Sequence, residues 1–103
     1  MCDNGRIVLR QGGLDVRIRY IREFLELACT LNYTEAAKRL HMTQPALSKH
    51  IDAMEKMLGT RLLVRASSGM ELTDAGKAFV DDARRVVNDY ALALDKIELR
   101  KRG

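Results

Sequence analysis

Apolar residues recur at steps of three and four between Ile18 and Leu31, the spacing of one side of an α-helix. The repeated positions are Ile21, Phe24, Leu25, Ala28 and Leu31. The other side carries the charged residues Arg19, Arg22, Glu23 and Glu26. The pattern predicts a first helix over residues 18–31 whose charged side faces water, with Arg22 and Glu26 paired on the surface. Asn32 is expected to end this helix, because asparagine tolerates a left-handed backbone.

Residues 34–48 predict two further helices that meet at a tight corner. The first helix cap is Thr34, the corner is His41-Met42, and the second cap is Thr43. A threonine hydroxyl accepts the free backbone N–H groups of an opening turn, so each cap favours a helix start. Pro45 falls in the first turn of the second helix, where its missing N–H costs nothing. This arrangement is typical of a helix-turn-helix, which we assign to about residues 34–54.

The second of these helices has two unlike sides. Its inward side is predicted to contain Leu47, Ile51, Met54 and Leu58. Its opposite side carries Gln44, Pro45, Ser48, Lys49 and Asp52, and Gly59 supplies a C-terminal stop. A helix that presents such a polar surface can lie in the major groove of duplex DNA.

A short apolar run follows at residues 62–64, and Met70-Glu71-Leu72 returns after a turn at residues 66–69. Runs of this length favour strands, and two of them after a helix-turn-helix form a wing, at about residues 61–72. Thr73 is expected to cap the last helix.

Nothing interrupts the pattern of the last helix from Asp74 to Lys101, so it would be roughly 40 Å long at about 1.5 Å per residue. That length exceeds what a body of this size can cover. A heptad seam runs along the helix through Ala83, Val87, Tyr90, Leu94 and Ile97. We therefore expect a second copy of the helix to cover the seam and form a homodimer. Whether dimers join further into a tetramer is left open by the sequence.

The predicted architecture is mainly α. A three-helix body and a two-stranded β wing, together a winged helix-turn-helix, occupy residues 18–73, and a long linker and dimerisation helix occupies residues 74–101. Residues 1–17 are poorly patterned, because glycines interrupt the apolar run of residues 7–9 on both sides. We interpret them as a flexible extension. The alternatives are an added short strand and a basic arm that touches phosphate.

The chain has a net charge of +4 and a sequence pI of about 9.3. Residues 1–65 carry eleven Lys or Arg against seven Asp or Glu, whereas residues 66–103 carry seven of each. The positive field therefore belongs to the half that contains the helix-turn-helix, which favours an acidic partner such as nucleic acid.

Several other classes of function are disfavoured. Cys2 and Cys29 are far apart and form no Cys-x-x-Cys pair, so neither a disulfide scaffold nor a zinc ribbon is expected, and Cys29 is assigned to the core. His41 and His50 have no carboxylate or thiol arranged with them, so no metal site and no cofactor are predicted. No catalytic triad, phosphate loop, membrane span or signal-peptide core is recognisable, which predicts a cytoplasmic protein that is not an enzyme.

Many motif elements stand at fixed mutual spacings along the chain. They are Phe24-Leu25-x-x-Ala28, Tyr33-Thr34-x-Ala36-Ala37-x-x-Leu40-His41, Thr43-Gln44-Pro45-Ala46-Leu47-Ser48, Ile51, Glu55, Leu58-Gly59, Leu62-Leu63-x-Arg65 and Leu72-Thr73-x-Ala75-Gly76. With this set, residues 18–100 closely resemble the N-terminal DNA-binding domain of LysR-type transcriptional regulators. The resemblance implies a bacterial-type regulator that binds double-stranded DNA and pairs through its linker helix. In that family an effector-binding domain follows. It is absent from this chain, which we therefore interpret as a fragment rather than an unusually short member.

The resemblance also implies which residues contact DNA. They are Thr43, Gln44, Pro45, Ser48 and Lys49 on the recognition helix, Thr34 on phosphate, and Arg65, Ser67 and Ser68 in the wing. The chain departs from the family pattern at four places: Leu31-Asn32 replaces a common Gly-Ser, His50 replaces Gln, Asp52 replaces a basic residue, and Ser68 stands where Arg or Lys is frequent. The last departure weakens the expectation of a minor-groove contact.

The residue types suit DNA recognition. The Gln44 amide offers a donor and an acceptor together, the pattern that adenine presents in the major groove. Lys49 can donate either to guanine or to phosphate. Asp52 is expected to stay solvated. The main alternative is a protein-interaction module built on the same fold, which would more often carry aromatic anchors on the exposed surface of the recognition helix.

Overall fold

The computed structural model describes residues 16–102, which form four helices and one antiparallel two-stranded sheet. The elements are α1 (Val16–Thr30), α2 (Tyr33–Arg39), α3 (Gln44–Leu58), β1 (Leu63–Ala66), β2 (Gly69–Leu72) and α4 (Asp74–Arg102). The predicted mainly α fold with a β wing is confirmed. Helix α1 begins at Val16, two residues before the predicted start, and the interpretation of residues 1–15 falls outside the described residues.

The core is aliphatic apart from a few aromatic rings, and it lies where α1, α2, α3 and the first half of α4 meet. Its fully buried large side chains are Phe24, Leu25, Leu27, Leu47, Ile51, Met54, Leu62 and Val87. Ala36 and Ala37 are buried on α2, which lets the neighbouring helices approach closely. The Phe24 and Phe79 rings, 5.5 Å apart, join α1 to α4. The helix-turn-helix therefore has a rigid support on the side away from its polar surface.

The link between α1 and α2 differs from the prediction. Leu31 takes the left-handed conformation, with φ at 52°, and Asn32 is extended. The Asn32 side chain caps α2 by accepting a hydrogen bond from the Glu35 backbone N–H at 3.0 Å. The predicted Thr34 cap is thus wrong, because Asn32 starts the helix earlier and leaves the Thr34 hydroxyl free for another contact.

The corner and both ends of α3 follow the prediction closely. His41 adopts a left-handed backbone with φ at 57°, which turns the chain between α2 and α3. Thr43 caps α3 by accepting from the Ala46 N–H at 3.2 Å, and Gly59 ends it in the left-handed conformation. Leu58 was assigned to the inward side but is 47% exposed, since it lies in the last turn, beyond the end of the core.

The wing is a hairpin in which Leu63 pairs with Leu72 and Ala66 pairs with Gly69. The two residues between the strands, Ser67 and Ser68, form the tip of the wing. The predicted turn is confirmed, with β1 running further toward the tip than expected.

Among the described residues, the glutamates Glu23, Glu26 and Glu55 are buried. The sequence pattern predicts a solvent-exposed position on α1 for the first two. Glu23 and Glu26 are 6% and 7% exposed, because α2 and α3 cover that side. Glu26 pairs with Arg39 of α2 at 3.2 Å rather than with Arg22. Cys29, expected in the core, is only half-buried.

The last helix has 29 residues, which corresponds to roughly 44 Å at about 1.5 Å per residue. Thr73 caps it by accepting from the Gly76 N–H at 3.0 Å, as predicted. Ala83 and Val87 are completely buried in the body of the same chain, so their assignment to an intermolecular seam is wrong. The first half of the apolar stripe on α4 therefore packs against the body of the same chain.

Candidate nucleic-acid interface

The first two turns of α3 present a polar surface to solvent. Gln44, Pro45 and Lys49 are exposed, Ser48 is half-buried, and the Thr43 cap is exposed beside them. The opposite side of the helix holds Leu47 and Ile51 in the core. The structure therefore brings the five predicted recognition-helix residues together on one accessible face.

Thr34 joins this surface from α2. Its hydroxyl Oγ1 donates a hydrogen bond to Oε1 of Gln44 at 3.1 Å. Both residues are exposed, so the contact lies on the surface of the helix-turn-helix rather than beneath it. The predicted Thr34–phosphate contact would have to compete with it, because a hydroxyl has only one proton to donate.

The wing places a second group of predicted residues on the surface. Arg65, Ser67 and Ser68 are exposed, and Arg65 lies opposite Met70 in the hairpin. The Ser68 hydroxyl donates to a carboxylate oxygen of Glu71 at 3.0 Å. Sequence reasoning missed Glu71, which places a negative charge near the tip. Glu71 is only three residues after Ser68, so this local spacing was a signal that could have found the contact.

A polar cleft of about 180 Å³ lies between α3 and the wing. Ser48 of the recognition helix and Arg65 of the wing both line this cleft. The rest of the lining is Tyr33, Asp52, Glu55, Arg61, Leu63, Val64 and Met70. Burial raises the pKa of the Tyr33 hydroxyl above its ordinary 10.0, and the negative charges of Glu55 and Asp52 raise it further. Tyr33 therefore remains a neutral hydrogen-bond donor over the physiological range.

Glu55 fixes the wing against α3. Its carboxylate accepts hydrogen bonds from the backbone N–H groups of Leu62 and Leu63, at 2.7 and 3.2 Å. Arg61, whose Nε lies 3.4 Å from the same carboxylate, covers it from the solvent side. The exposed Arg61 guanidinium thus neutralises the Glu55 carboxylate that holds the start of β1. The sequence patterns did not indicate this role for Arg61.

A second brace holds α3 against α1. Nδ1 of His50 lies 2.8 Å from a carboxylate oxygen of the buried Glu23. The Tyr20 ring stacks on the His50 ring, with centroids 4.6 Å apart. His50 therefore fixes the recognition helix against α1.

The described residues contain no cluster of three or more His, Cys, Asp or Glu side chains that could hold a metal ion. Among the helices over residues 16–102, none combines the length and apolar character needed to cross a membrane. The exposed side chains of the candidate site are hydrogen-bond donors, acceptors and cations.

A capped helix with an exposed polar face, fixed beside a hairpin that carries an arginine, defines a winged helix-turn-helix domain. The family model described as "Bacterial regulatory helix-turn-helix protein, lysR family" matches residues 18–77. The chain belongs to this family.

Relatives and solved structures agree with this assignment. The chain is 40% identical over 88 residues to the HTH-type transcriptional regulator BudR of Klebsiella aerogenes, which covers 85% of this chain and 62% of BudR. It is 41% identical over 86 residues to XapR of Escherichia coli, covering 84% of this chain and 29% of XapR. The chain thus spans less than two thirds of the length of these relatives.

Two structures of DNA complexes match the fold. The DNA-binding domain in the CbnR_DBD-DNA complex is 38% identical, with a TM-score of 0.76 over 82% of this chain and 97% of that one. The BenM_DBD/catB site 1 DNA complex gives a TM-score of 0.79 at 28% identity, over 84% of this chain and 97% of that one.

Proposed function

We propose that this chain is the DNA-reading part of a LysR-type bacterial transcription regulator and binds a specific double-stranded DNA site. The observation that carries the proposal is the exposed polar face of α3, since Gln44, Ser48 and Lys49 stand clear of a fully packed opposite side. The matched structures include DNA complexes of domains with the same fold, which supports the same kind of partner here.

In this proposal α3 lies in the major groove and its first two turns contact the bases. Gln44, Ser48 and Lys49 supply the hydrogen bonds, Pro45 presses against a thymine methyl group, and Thr43 contacts the backbone. In the wing, Arg65 reaches toward the minor groove and the serine hydroxyls at the tip contact phosphate. The Glu71 carboxylate beside Ser68 weakens the tip contact, because it repels phosphate and already occupies the Ser68 hydroxyl.

We further propose that the chain acts as a homodimer on an approximately palindromic site, through the second half of α4. Of the predicted seam, Tyr90 and Leu94 are half-buried and Ile97 is 53% exposed, so these three residues are accessible to a second copy, whereas Ala83 and Val87 are not. Two-fold pairing would present two recognition helices to two half-sites. The whole regulator would add an effector-binding domain and act in the cytoplasm, by binding rather than by catalysis.

The alternative, a protein-interaction module, has less support. The exposed face of α3 offers amide, hydroxyl and ammonium groups, and the aromatic side chains that anchor most protein interfaces are missing from its first two turns.

Lys49 tests the proposal most simply. Affinity for a labelled duplex is measured by fluorescence anisotropy over a range of salt concentrations, with Lys77→Ala as a control that removes the same charge from an exposed position in the first turn of α4. DNA affinity is expected to weaken steeply as the salt concentration rises. Lys49→Ala should lower the affinity. If Lys49 contacts phosphate, it should also reduce the slope of log affinity against log salt concentration by about 1. A flat salt response, or equal affinities for the two variants, would contradict the proposal.

A further inference from the structure

Thr34 and Gln44 share a hydrogen bond on the surface proposed to read DNA. We propose that Thr34 is a positioning residue that turns the Gln44 amide so that its NH₂ group, rather than its carbonyl oxygen, meets the DNA. This inference rests on the proposed function and adds a specificity that the resemblance does not imply.

The first step is the direction of the hydrogen bond. Thr34 Oγ1 lies 3.1 Å from Gln44 Oε1, and the hydroxyl is the donor because a carbonyl oxygen carries no proton. This hydrogen bond uses the only proton of the Thr34 hydroxyl. Phosphate oxygens accept but do not donate at neutral pH, so Thr34 cannot hold Gln44 and donate to a phosphate at once.

The second step is the rigidity of the two partners. The Thr34 backbone lies in the first turn of α2, fixed by the Asn32 cap and by the buried Ala36 and Ala37. The Gln44 backbone follows the Thr43 cap at the start of α3. A hydrogen bond between two fixed backbones loses little entropy when DNA excludes water from the groove, where its electrostatic strength also increases.

The third step is the base edge. Adenine recognition by glutamine requires the amide oxygen and nitrogen side by side, since adenine offers N7 as an acceptor and N6–H₂ as a donor. With Oε1 engaged by the Thr34 hydroxyl, the NH₂ group is the part of the amide left without a hydrogen-bond partner among the described residues, and its donors suit an edge made of acceptors. Guanine presents N7 and O6, both acceptors. The structure therefore assigns Gln44 to guanine in preference to adenine, opposite to what its side-chain chemistry alone suggests.

The test compares base preference at a single position. The duplex bound best in a random-pool selection is changed one base pair at a time, and competition binding is measured for the unaltered chain, Thr34→Val, Thr34→Ser and Gln44→Ala. Gln44→Ala locates the base pair that Gln44 reads. Valine matches the shape of threonine without the hydroxyl, and serine keeps the hydroxyl without the methyl group.

At that base pair the unaltered chain should favour guanine over adenine. Thr34→Val should lower the guanine-to-adenine ratio about fivefold, the value of one hydrogen bond, and Thr34→Ser should preserve it. A merely structural or phosphate role for Thr34 would weaken all sequences equally and leave the ratio unchanged, and that result would overturn the inference. A preference for adenine in the unaltered chain, or no change of preference at any base pair in Gln44→Ala, would overturn it too. If the unaltered chain prefers no sequence at all, both this inference and the proposed function fail.

Discussion

The carboxylate of Glu55 on the recognition helix accepts a hydrogen bond from the backbone N–H of Leu62, 2.7 Å away, at the start of the wing. The Leu63 N–H donates to the same oxygen, so one buried side chain satisfies two successive backbone donors. The recognition helix and the wing are consequently one rigid unit, and their relative position is set by Glu55.

Replacing Glu55 should destabilise the domain. Glu55→Ala leaves the Leu62 and Leu63 N–H groups buried without an acceptor, at a cost of about 1–3 kcal/mol in the free energy of unfolding. Glu55→Gln keeps one acceptor oxygen and should fall between the alanine variant and the unaltered chain. Urea unfolding gives the free energies, and hydrogen exchange at the two amides gives the local effect. The neighbouring Lys56→Ala, at an exposed position, is the control. An unchanged unfolding midpoint for Glu55→Ala would show that this contact does not hold the wing.

Gly76→Ala should also destabilise the fold, for a steric reason. A Cβ atom at position 76 would collide with the backbone carbonyl oxygen of Leu62 and press on the Leu72 side chain. Overpacking against backbone costs about 1–3 kcal/mol, which outweighs the better helix propensity of alanine. Thermal unfolding, with Lys77→Ala on the exposed side of the same turn as the control, measures the loss. A higher melting temperature for Gly76→Ala would mean that α4 can move away from Leu62 without cost.

His50 and Glu23 provide a test of the support behind the recognition helix. His50→Ala removes both the partner of the buried Glu23 carboxylate and the ring stacked on Tyr20, and should cost about 1–3 kcal/mol of stability. His50→Gln should recover part of this loss, because its amide can donate to the carboxylate. Denaturant unfolding distinguishes the two variants, and Lys49→Ala on the exposed face of α3 should leave the stability nearly unchanged. Equal losses in the alanine and glutamine variants would show that the ring stacking, not the hydrogen bond, holds the two helices together.

The two halves of the apolar stripe on α4 should respond differently to substitution. Val87→Ala, in the core of the same chain, should lower the stability of the fold by about 2 kcal/mol. Ile97→Glu, at an exposed position, should leave the fold intact and shift a dimer toward monomers. Sedimentation equilibrium measures the association and circular dichroism the fold. An association constant unaffected by Ile97→Glu would exclude this part of α4 from the dimer interface.

Local chemistry explains which parts of the fold could be predicted from the sequence. Thr43, Gly59 and Thr73 each act on backbone groups within four residues, so their residue types were sufficient to locate helix ends. The α1–α2 link was harder, because Asn32 and Thr34 are both good caps and stand only two residues apart. Nothing local decides between them.

Contacts between distant parts of the chain explain the errors. Glu23 pairs with His50, and Glu26 with Arg39, across separations of 27 and 13 residues. The charged side of α1 is therefore buried by helices that are distant in the sequence, so its pattern alone indicates solvent exposure. Ala83 and Val87 show the same limit for an apolar stripe, because periodicity locates the seam but not the surface that covers it. The recognition-face residues were easier to predict, since they follow directly from the two sides of α3.

We propose that a symmetric dimer presents the polar face of α3 twice and thereby reads a specific duplex sequence. Selection of bound duplexes from a random pool tests it most directly. We expect enrichment of an inverted repeat whose half-site centres are about one helical turn apart, or a multiple of that distance. Recovery of sequences without any shared motif, under salt conditions where the chain still binds duplex DNA, would contradict it.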